Sequence, residues 1–368
     1  MPMNLTPKSE FLKGRKIPAA DDLKALSFAF GFEKIEDVDL IDTSHDIDDV
    51  RLNYIVDKKF VLRVCNAPDM SEKRMEELNR LIERYKEVGV QSPKFLKNRN
   101  GYYFEKWGEY VAYVSEYIDL PLAEDAKLED EDALEAEIEK FVARFARRYK
   151  DCDLIDTMSM YSLFDLSPFD KQNGVDEKQD NFNHLVAFLV ELGEDKLADK
   201  LTARNQAVRE ELKKVYKSLP HCVFQADENF SNVLVDENGR LAGLIDFNLA
   251  GTDVIVNHFA NLSGFHYSLM DWTKKTPKEV LDESLKYYRR HMSNVLSEYD
   301  ATTEELAAMK KYAWIVSVSG WPYHCFFLDA LKNPNLKAKT LELLDLLADA
   351  DENIFLDINY GKSATCSA

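Results

Sequence analysis

The sequence predicts an α+β chain: a small sheet region carrying one helix, then a larger and mainly helical region. Three observations predict it. Runs rich in β-formers, Phe60-Val61-Leu62-Arg63-Val64 being the clearest, cluster in the first third. One amphipathic helix lies among them. Beyond Asp119-Leu120-Pro121 the apolar residues recur mostly at helical spacing. The division drawn from this is residues 1–118, residues 119–360 and a short tail, 361–368.

Taken in order, a short helix over 21–30 leads into apolar-rich strands. The next helix runs over 71–88, with Ser71 as N-cap and Gly89 just past its end. Met75, Leu78, Leu81, Ile82, Tyr85 and Val88 form its buried face. Asn98-Arg99-Asn100-Gly101 predicts a turn between strands Phe95-Leu96 and Tyr102-Tyr103-Phe104, and a further strand covers 111–118. Helical patterns follow over 134–149, 182–192, 195–216, 277–299, 303–331 and 336–350. The acid run Glu129-Asp130-Glu131-Asp132 suits the positive end of the first of these. The residues of 361–368 are small and polar, the composition of a frayed end. One segment interrupts the helices. Cys222-Val223-Phe224, Val233-Leu234-Val235 and Leu241-Ala242-Gly243-Leu244-Ile245 read as strands, with Asn238-Gly239 turning the last two into a hairpin.

Composition narrows the function. The 368 residues carry 47 Lys+Arg against 66 Asp+Glu, a net charge of −19, with 45% apolar content for a sizeable core. That balance argues against a nucleic-acid partner, which needs clustered cations, and against an anionic membrane surface. It suits a cationic acceptor such as an amine. Cys65, Cys152, Cys222, Cys325 and Cys366 are scattered and never spaced as CxxC, so reduced thiols are expected. Residues 1–16 lack the apolar stretch of a signal peptide, and no run reaches the roughly 18 apolar residues of a membrane helix. A soluble, cytoplasmic protein is expected.

The chemistry concentrates at the hairpin. Asp227 and Asn232 flank a loop, and Asp246 directly follows the last strand. A hairpin brings its outer ends together, so Asn232 and Asp246 are expected side by side, with Asp227 within a loop's reach. Phosphoryl transfer needs such a set: a carboxylate to orient the attacking hydroxyl and accept its proton, and an amide oxygen with a second carboxylate for Mg²⁺. The stretch Gln225-Ala226-Asp227-Glu228-Asn229-Phe230-Ser231-Asn232, ending in Leu244-Ile245-Asp246-Phe247, resembles the aminoglycoside phosphotransferase/choline kinase family. That resemblance implies a protein-kinase-like bilobal fold, with a mostly antiparallel sheet lobe and a larger helical lobe. It implies Asp227 as catalytic base and Asn232 and Asp246 as Mg²⁺ ligands. It implies transfer of the γ-phosphoryl group of ATP, or GTP, to the hydroxyl of a small molecule. The family's loop usually opens His-Gly-Asp, where this chain has Gln225 and Ala226. Asp253 matches a further family Asp, and Asn257 stands where a second would follow.

Upstream, the resemblance implies Arg63, where Lys is commoner, as the residue binding nucleotide phosphate, with a helix Glu to hold it. At about 100° per residue, Glu77 falls at the edge of the helix's apolar face, while Glu76 and Glu83 point away. Glu77 is therefore the expected partner of Arg63. The nucleotide base is implied to lie on the backbone of Glu116-Tyr117-Ile118, making Glu116 and Ile118 candidate binding residues. The segment expected to cradle phosphate, 44–53, has no Gly and contains Asp46, Asp48 and Asp49, which oppose a tight anion site. This acidic loop, Arg63 and the Gln225-Ala226 departure motivate an alternative: a kinase-like binding or protein-interaction module without catalysis. The acceptor stays open among aminoglycosides, choline, homoserine and sugars. His258, His266, His291 and His324 are each isolated and expected to be structural. Trp314, Trp321, Tyr323, Phe326 and Phe327 have the spacing of a core cluster rather than of a cationic-ligand cage.

Overall fold

A computed structural model describes residues 5–12, 16–66, 70–168, 170 and 173–356. The expected tail at 361–368 and Cys366 lie outside the described residues. Two compact units form, one from Met1–Glu129 with Asn229–Asp246, the other from Asp130–Glu228 with Phe247–Ala368.

The first unit is built on an antiparallel sheet. Its strands are β1 (Val38–Asp42), β2 (Arg51–Val56), β3 (Phe60–Cys65), β4 (Phe95–Leu96), β5 (Glu105–Trp107) and β6 (Tyr110–Glu116). They run in the order β1-β2-β3-β6-β4, with β5 also paired to β6. Alternation along β3 decides which side each residue serves. Phe60, Leu62 and Val64 enter the core with Leu52, Tyr54, Val114 and the apolar face of α1 (Ala20–Ala29), whereas Arg63 stays half-buried on the other side. Helix α2 (Glu72–Glu87) starts where Ser71 accepts a hydrogen bond from the Arg74 N–H and ends before Gly89, at φ +93°. Met75, Leu78, Leu81, Ile82 and Tyr85 are buried as expected, and Val88 is half-buried.

Residues 102–104 do not form the expected strand; the strand falls at Glu105–Trp107 instead. The donors of the displaced residues go to side chains: the Tyr102 N–H to Asn98 Oδ1 at 2.9 Å and the Tyr103 N–H to the Glu72 carboxylate at 2.9 Å. With those donors spent, no ladder forms there.

The hairpin β8 (Val233–Val235) and β9 (Leu241–Leu244) belongs to this same unit. Gly239, at φ +72°, closes its turn. It is tied in by the Ala123 N–H to Val233 O at 2.8 Å and the Leu244 N–H to Gln91 O at 2.8 Å.

The second unit is mainly helical. It holds α3 (Glu131–Tyr149), α4 (Glu177–Glu191), α5 (Asp195–Val215), α6 (Ile255–Leu262), α7 (Pro277–Leu296), α8 (Thr303–Ser319), α9 (Trp321–Lys332) and α10 (Lys337–Asp349). The expected single helix over 303–331 is two helices. Pro322 lies in the first turn of α9, where its missing N–H costs nothing, and the chain breaks at Gly320. Trp314, Tyr323 and Phe327 are core residues and Phe326 is half-buried, while Trp321 is exposed. Two short strands, β7 (His221–Phe224) and β10 (Gly251–Val254), pair antiparallel beside the helices. Among the described residues no helix is long and apolar enough to cross a membrane.

Candidate active site

In the first unit, the hairpin register pairs Val233 with Leu244, and the Ile245 N–H donates to Asn232 O at 2.9 Å. Asn232 therefore stands opposite Ile245, one residue before Asp246. Asn232 is buried and Asp246 partly so. Asp246 adopts a left-handed backbone, φ +55°, which turns the chain sharply as it leaves the hairpin.

Arg63 reaches toward the same carboxylate, its Nη2 lying 3.7 Å from Asp246 Oδ2. Its Nε donates to Asn53 Oδ1 at 2.6 Å and its Nη1 to Tyr113 Oη at 3.1 Å. Burial works against the Arg63 charge, but Tyr113 and Asp246 outweigh it and lift the guanidinium pKa further above its ordinary value. Burial likewise pushes the Tyr113 phenol up, so it stays protonated. No ion pair joins Arg63 to Glu77 among the described residues. Glu77 is buried, and its partner is Lys73, at 3.5 Å.

Glu116 and Ile118 sit where β6 runs out. The Glu116 N–H donates to Lys94 O at 2.9 Å and the Tyr117 N–H to Lys59 O at 3.1 Å, while Ile118 O accepts from Leu120. The Ile118 N–H has no acceptor among the described residues, so it is available to a ligand.

The acidic loop between β1 and β2 spends its own donors. The N–H groups of Asp48 and Asp49 both bind Asp46 Oδ1, at 2.7 and 3.0 Å, and the His45 N–H binds Asp49 O at 3.1 Å. The Arg51 N–H goes to Ser44 Oγ at 2.9 Å. A phosphate cradle needs such groups bared, and here those of His45, Asp48, Asp49 and Arg51 are occupied.

In the second unit, β7 leads into Gln225-Ala226-Asp227. Gln225 is fully buried, and its Oε1 accepts the Asp227 N–H at 2.7 Å. Ala226 takes φ +66°, a conformation that suits the Gly usual at that place. Beyond Asp227, the buried Glu228 carboxylate lies 3.3 Å from His258 Nε2, and the His258 ring stacks on Phe224 with centroids 3.8 Å apart. His258 is thus a core residue, as expected. Asp253 is buried and accepts from Asn257 Nδ2 at 2.9 and 3.1 Å and from Ser159 Oγ at 3.0 Å. Burial raises its pKa, and those donors oppose the rise.

The sequence did not point to Asn53 or Tyr113. Their only mark there was position: each sits on a strand, paired with Arg63. No group of three or more His, Cys, Asp or Glu side chains that could hold a metal occurs among the described residues. Asn232 with Asp246 is a smaller, oxygen-only donor set of the kind Mg²⁺ accepts.

A family model described as the phosphotransferase enzyme family matches residues 47–301, well over half of the chain. No curated protein sequence matches. Among solved structures, an amicoumacin kinase in complex with AMP-PNP, Ca²⁺ and Ami shares the fold, with a TM-score of 0.51 at 12% identity over 89% of this chain and 92% of that one. A spectinomycin phosphotransferase in complex with ADP and spectinomycin aligns with a TM-score of 0.45 at 12% identity, over 93% and 97%. A macrolide 2′-phosphotransferase of type I aligns with a TM-score of 0.43 at 16% identity, over 89% and 98%. The matched span includes Arg63, Asp227, Asn232 and Asp246, and on it the chain belongs to the phosphotransferase enzyme family.

Proposed function

We propose that the chain transfers the γ-phosphoryl group of ATP to the hydroxyl of a small-molecule alcohol. The observation that carries this reading is the hairpin register, which sets Asn232 opposite Ile245, beside Asp246, directly after the loop bearing Asp227. Asp227 orients the acceptor hydroxyl and takes its proton. Arg63 binds the nucleotide phosphates, and the free Ile118 N–H receives the base. The oxygens of Asn232 and Asp246 would hold Mg²⁺, which when bound neutralises charge on the phosphates. An aminoglycoside-, choline- or sugar-like acceptor fits the family and the chain's negative charge.

The test is calorimetric titration of ATP, and of GTP beside it, with Mg²⁺ and then with EDTA, on wild type, Asp246→Asn and Asp227→Asn. Binding should require both Mg²⁺ and Asp246. Asp227→Asn should bind like wild type yet lose turnover with any accepted alcohol. Wild type indifferent to Mg²⁺, or unable to bind nucleotide, would favour the non-catalytic module that the self-occupied acidic loop also permits.

A further inference from the structure

We infer that Asn53 and Tyr113, rather than Glu77, hold Arg63 in the attitude that receives nucleotide phosphate. This rests on the nucleotide-binding reading above. The register pairs Asn53 with Arg63 and Arg63 with Tyr113, so the three side chains form one row across β2, β3 and β6. The row is fixed at both ends. Asn53 Nδ2 donates to Thr43 Oγ1 at 3.0 Å and to Ile41 O at 3.3 Å, which leaves its Oδ1 facing Arg63 Nε. The Tyr113 ring meets Phe95 and Phe104 edge-on, with centroids 5.8 and 6.1 Å apart, and presents its oxygen to Nη1. Both residues are buried, so neither bond competes with bulk water.

The guanidinium carries five N–H groups in a planar fork. Two are engaged by the row, one on Nε and one on Nη1. Three remain, one on Nη1 and two on Nη2, and Nη2 lies 3.7 Å from Asp246 Oδ2. A lysine could not divide its bonds in this way, because it has no Nε–H and its ammonium is a single point. The row accounts for arginine at this strand position. It also places the support in the sheet itself. In protein kinases the strand lysine depends on a helix glutamate, and so on where the helix sits. Here the Nε and Nη1 bonds of Arg63 go to the sheet, and Glu77 faces Lys73 of its own helix at 3.5 Å.

The experiment titrates MgATP and, separately, adenosine, which lacks phosphates, into the full chain. Asn53→Ala and Tyr113→Phe should each weaken MgATP about tenfold, about 1.4 kcal/mol, and leave adenosine within about twofold. Glu77→Gln should leave MgATP within about twofold. In an Arg63→Lys background, Asn53→Ala should add nothing further, since its partner is gone. Should Asn53→Ala not fold, Tyr113→Phe, which removes one oxygen, decides alone. The inference is overturned if Glu77→Gln weakens MgATP as much as Tyr113→Phe does, or if MgATP and adenosine weaken together, the mark of general damage to the sheet. Wild type that binds adenosine and MgATP equally would overturn the role of Arg63 itself, and the inference with it.

Discussion

Gly251 begins β10, and its neighbours leave no room for a side chain. A Cβ there would lie 2.3 Å from Ser159 N, 2.4 Å from Met158 C and 2.6 Å from Met158 O. All three are backbone atoms, so no rotamer change relieves the clash. One strand of chain must retreat by roughly 1 Å to restore ordinary van der Waals spacing. That retreat strains the Ser159 N–H to Thr252 O bond at 3.0 Å and the Thr252 N–H to Thr157 O bond at 2.9 Å. Overpacking of this kind costs about 1–3 kcal/mol, and two weakened buried hydrogen bonds add about 1 kcal/mol more. For Gly251→Ala the expected loss is therefore about 2–4 kcal/mol, or a melting point lower by about 3–5 °C. Function should suffer beyond stability, because Gly251 pairs with Phe224, the residue before Gln225-Ala226-Asp227. Urea and thermal unfolding give the first quantity, and turnover at a temperature where both proteins are folded gives the second. A Gly251→Ala protein with an unchanged urea midpoint would refute the reasoning, for it would mean the two backbones separate at no cost.

Three further outcomes are expected. Burial, then the nearby His291 and Arg290 charges, hold His266 below the ordinary histidine pKa. Its neutral form is therefore the one the fold accommodates, so stability is full above about pH 6.5 and falls as pH drops through that value toward the lower folded pKa. His266→Asn, which tolerates the φ of +54° there, should shrink the melting-point difference between pH 7.5 and 5.5, and an unaltered difference would count against it. At Ala226, Gly would relieve about 1 kcal/mol of left-handed strain but give up a buried methyl worth about 0.8 kcal/mol. Ala226→Gly should thus stay within about 1 kcal/mol of wild type in urea titration, while the β-branched Ala226→Val should lose clearly more. Asn257→Asp would set a second buried carboxylate against Asp253 and remove its Nδ2 donor, costing about 3 kcal/mol or more at pH 7. One of the two acids would have its pKa raised, so stability should recover as pH falls toward 5; equal urea midpoints at pH 7 would defeat the argument.

Much of this was legible because the pattern was local. Helix α2 announced itself by period, cap and terminal Gly, and the β8–β9 hairpin by Asn238-Gly239 between apolar runs. Where placement depended on tertiary partners, the sequence was silent or misleading. Tyr102 and Tyr103 have strand-forming side chains, but Asn98 and Glu72 took their backbone donors. β10 has only four residues, among them Gly251 and Asp253, and it pairs with β7 on one side and meets 157–159 on the other, partners that no spacing rule encodes. The choice of Glu77 failed for a related reason. Helix geometry correctly brought it to the edge of the buried face, yet it could not reveal that Glu77 would face Lys73 while Asn53 and Tyr113 took the Nε–H and one Nη1–H of Arg63.

Three of the departures from the family's usual residues, Gln225, Asn257 and Arg63, each make hydrogen bonds within the chain. Gln225 does for the Asp227 N–H what a short polar ring or turn could do, from a fully buried position. Asn257 supplies donors to Asp253, where a second acid would have supplied repulsion. Arg63 divides its fork between Asn53 and Tyr113 and keeps its outer face toward Asp246. The acidic loop at 44–50 is different, because the N–H groups of His45, Asp48 and Asp49 are spent on Asp46 and Asp49 and its carboxylates oppose an anion. Anion binding in the proposed site would then fall on Arg63 and on a cation that the oxygens of Asn232 and Asp246 would hold. A kinase with a bared glycine loop spreads that load over several backbone dipoles. On the proposed reading the load would rest on Arg63 and on a divalent ion held by Asn232 and Asp246, and nucleotide affinity should then depend on the metal more steeply than a glycine-loop enzyme's does.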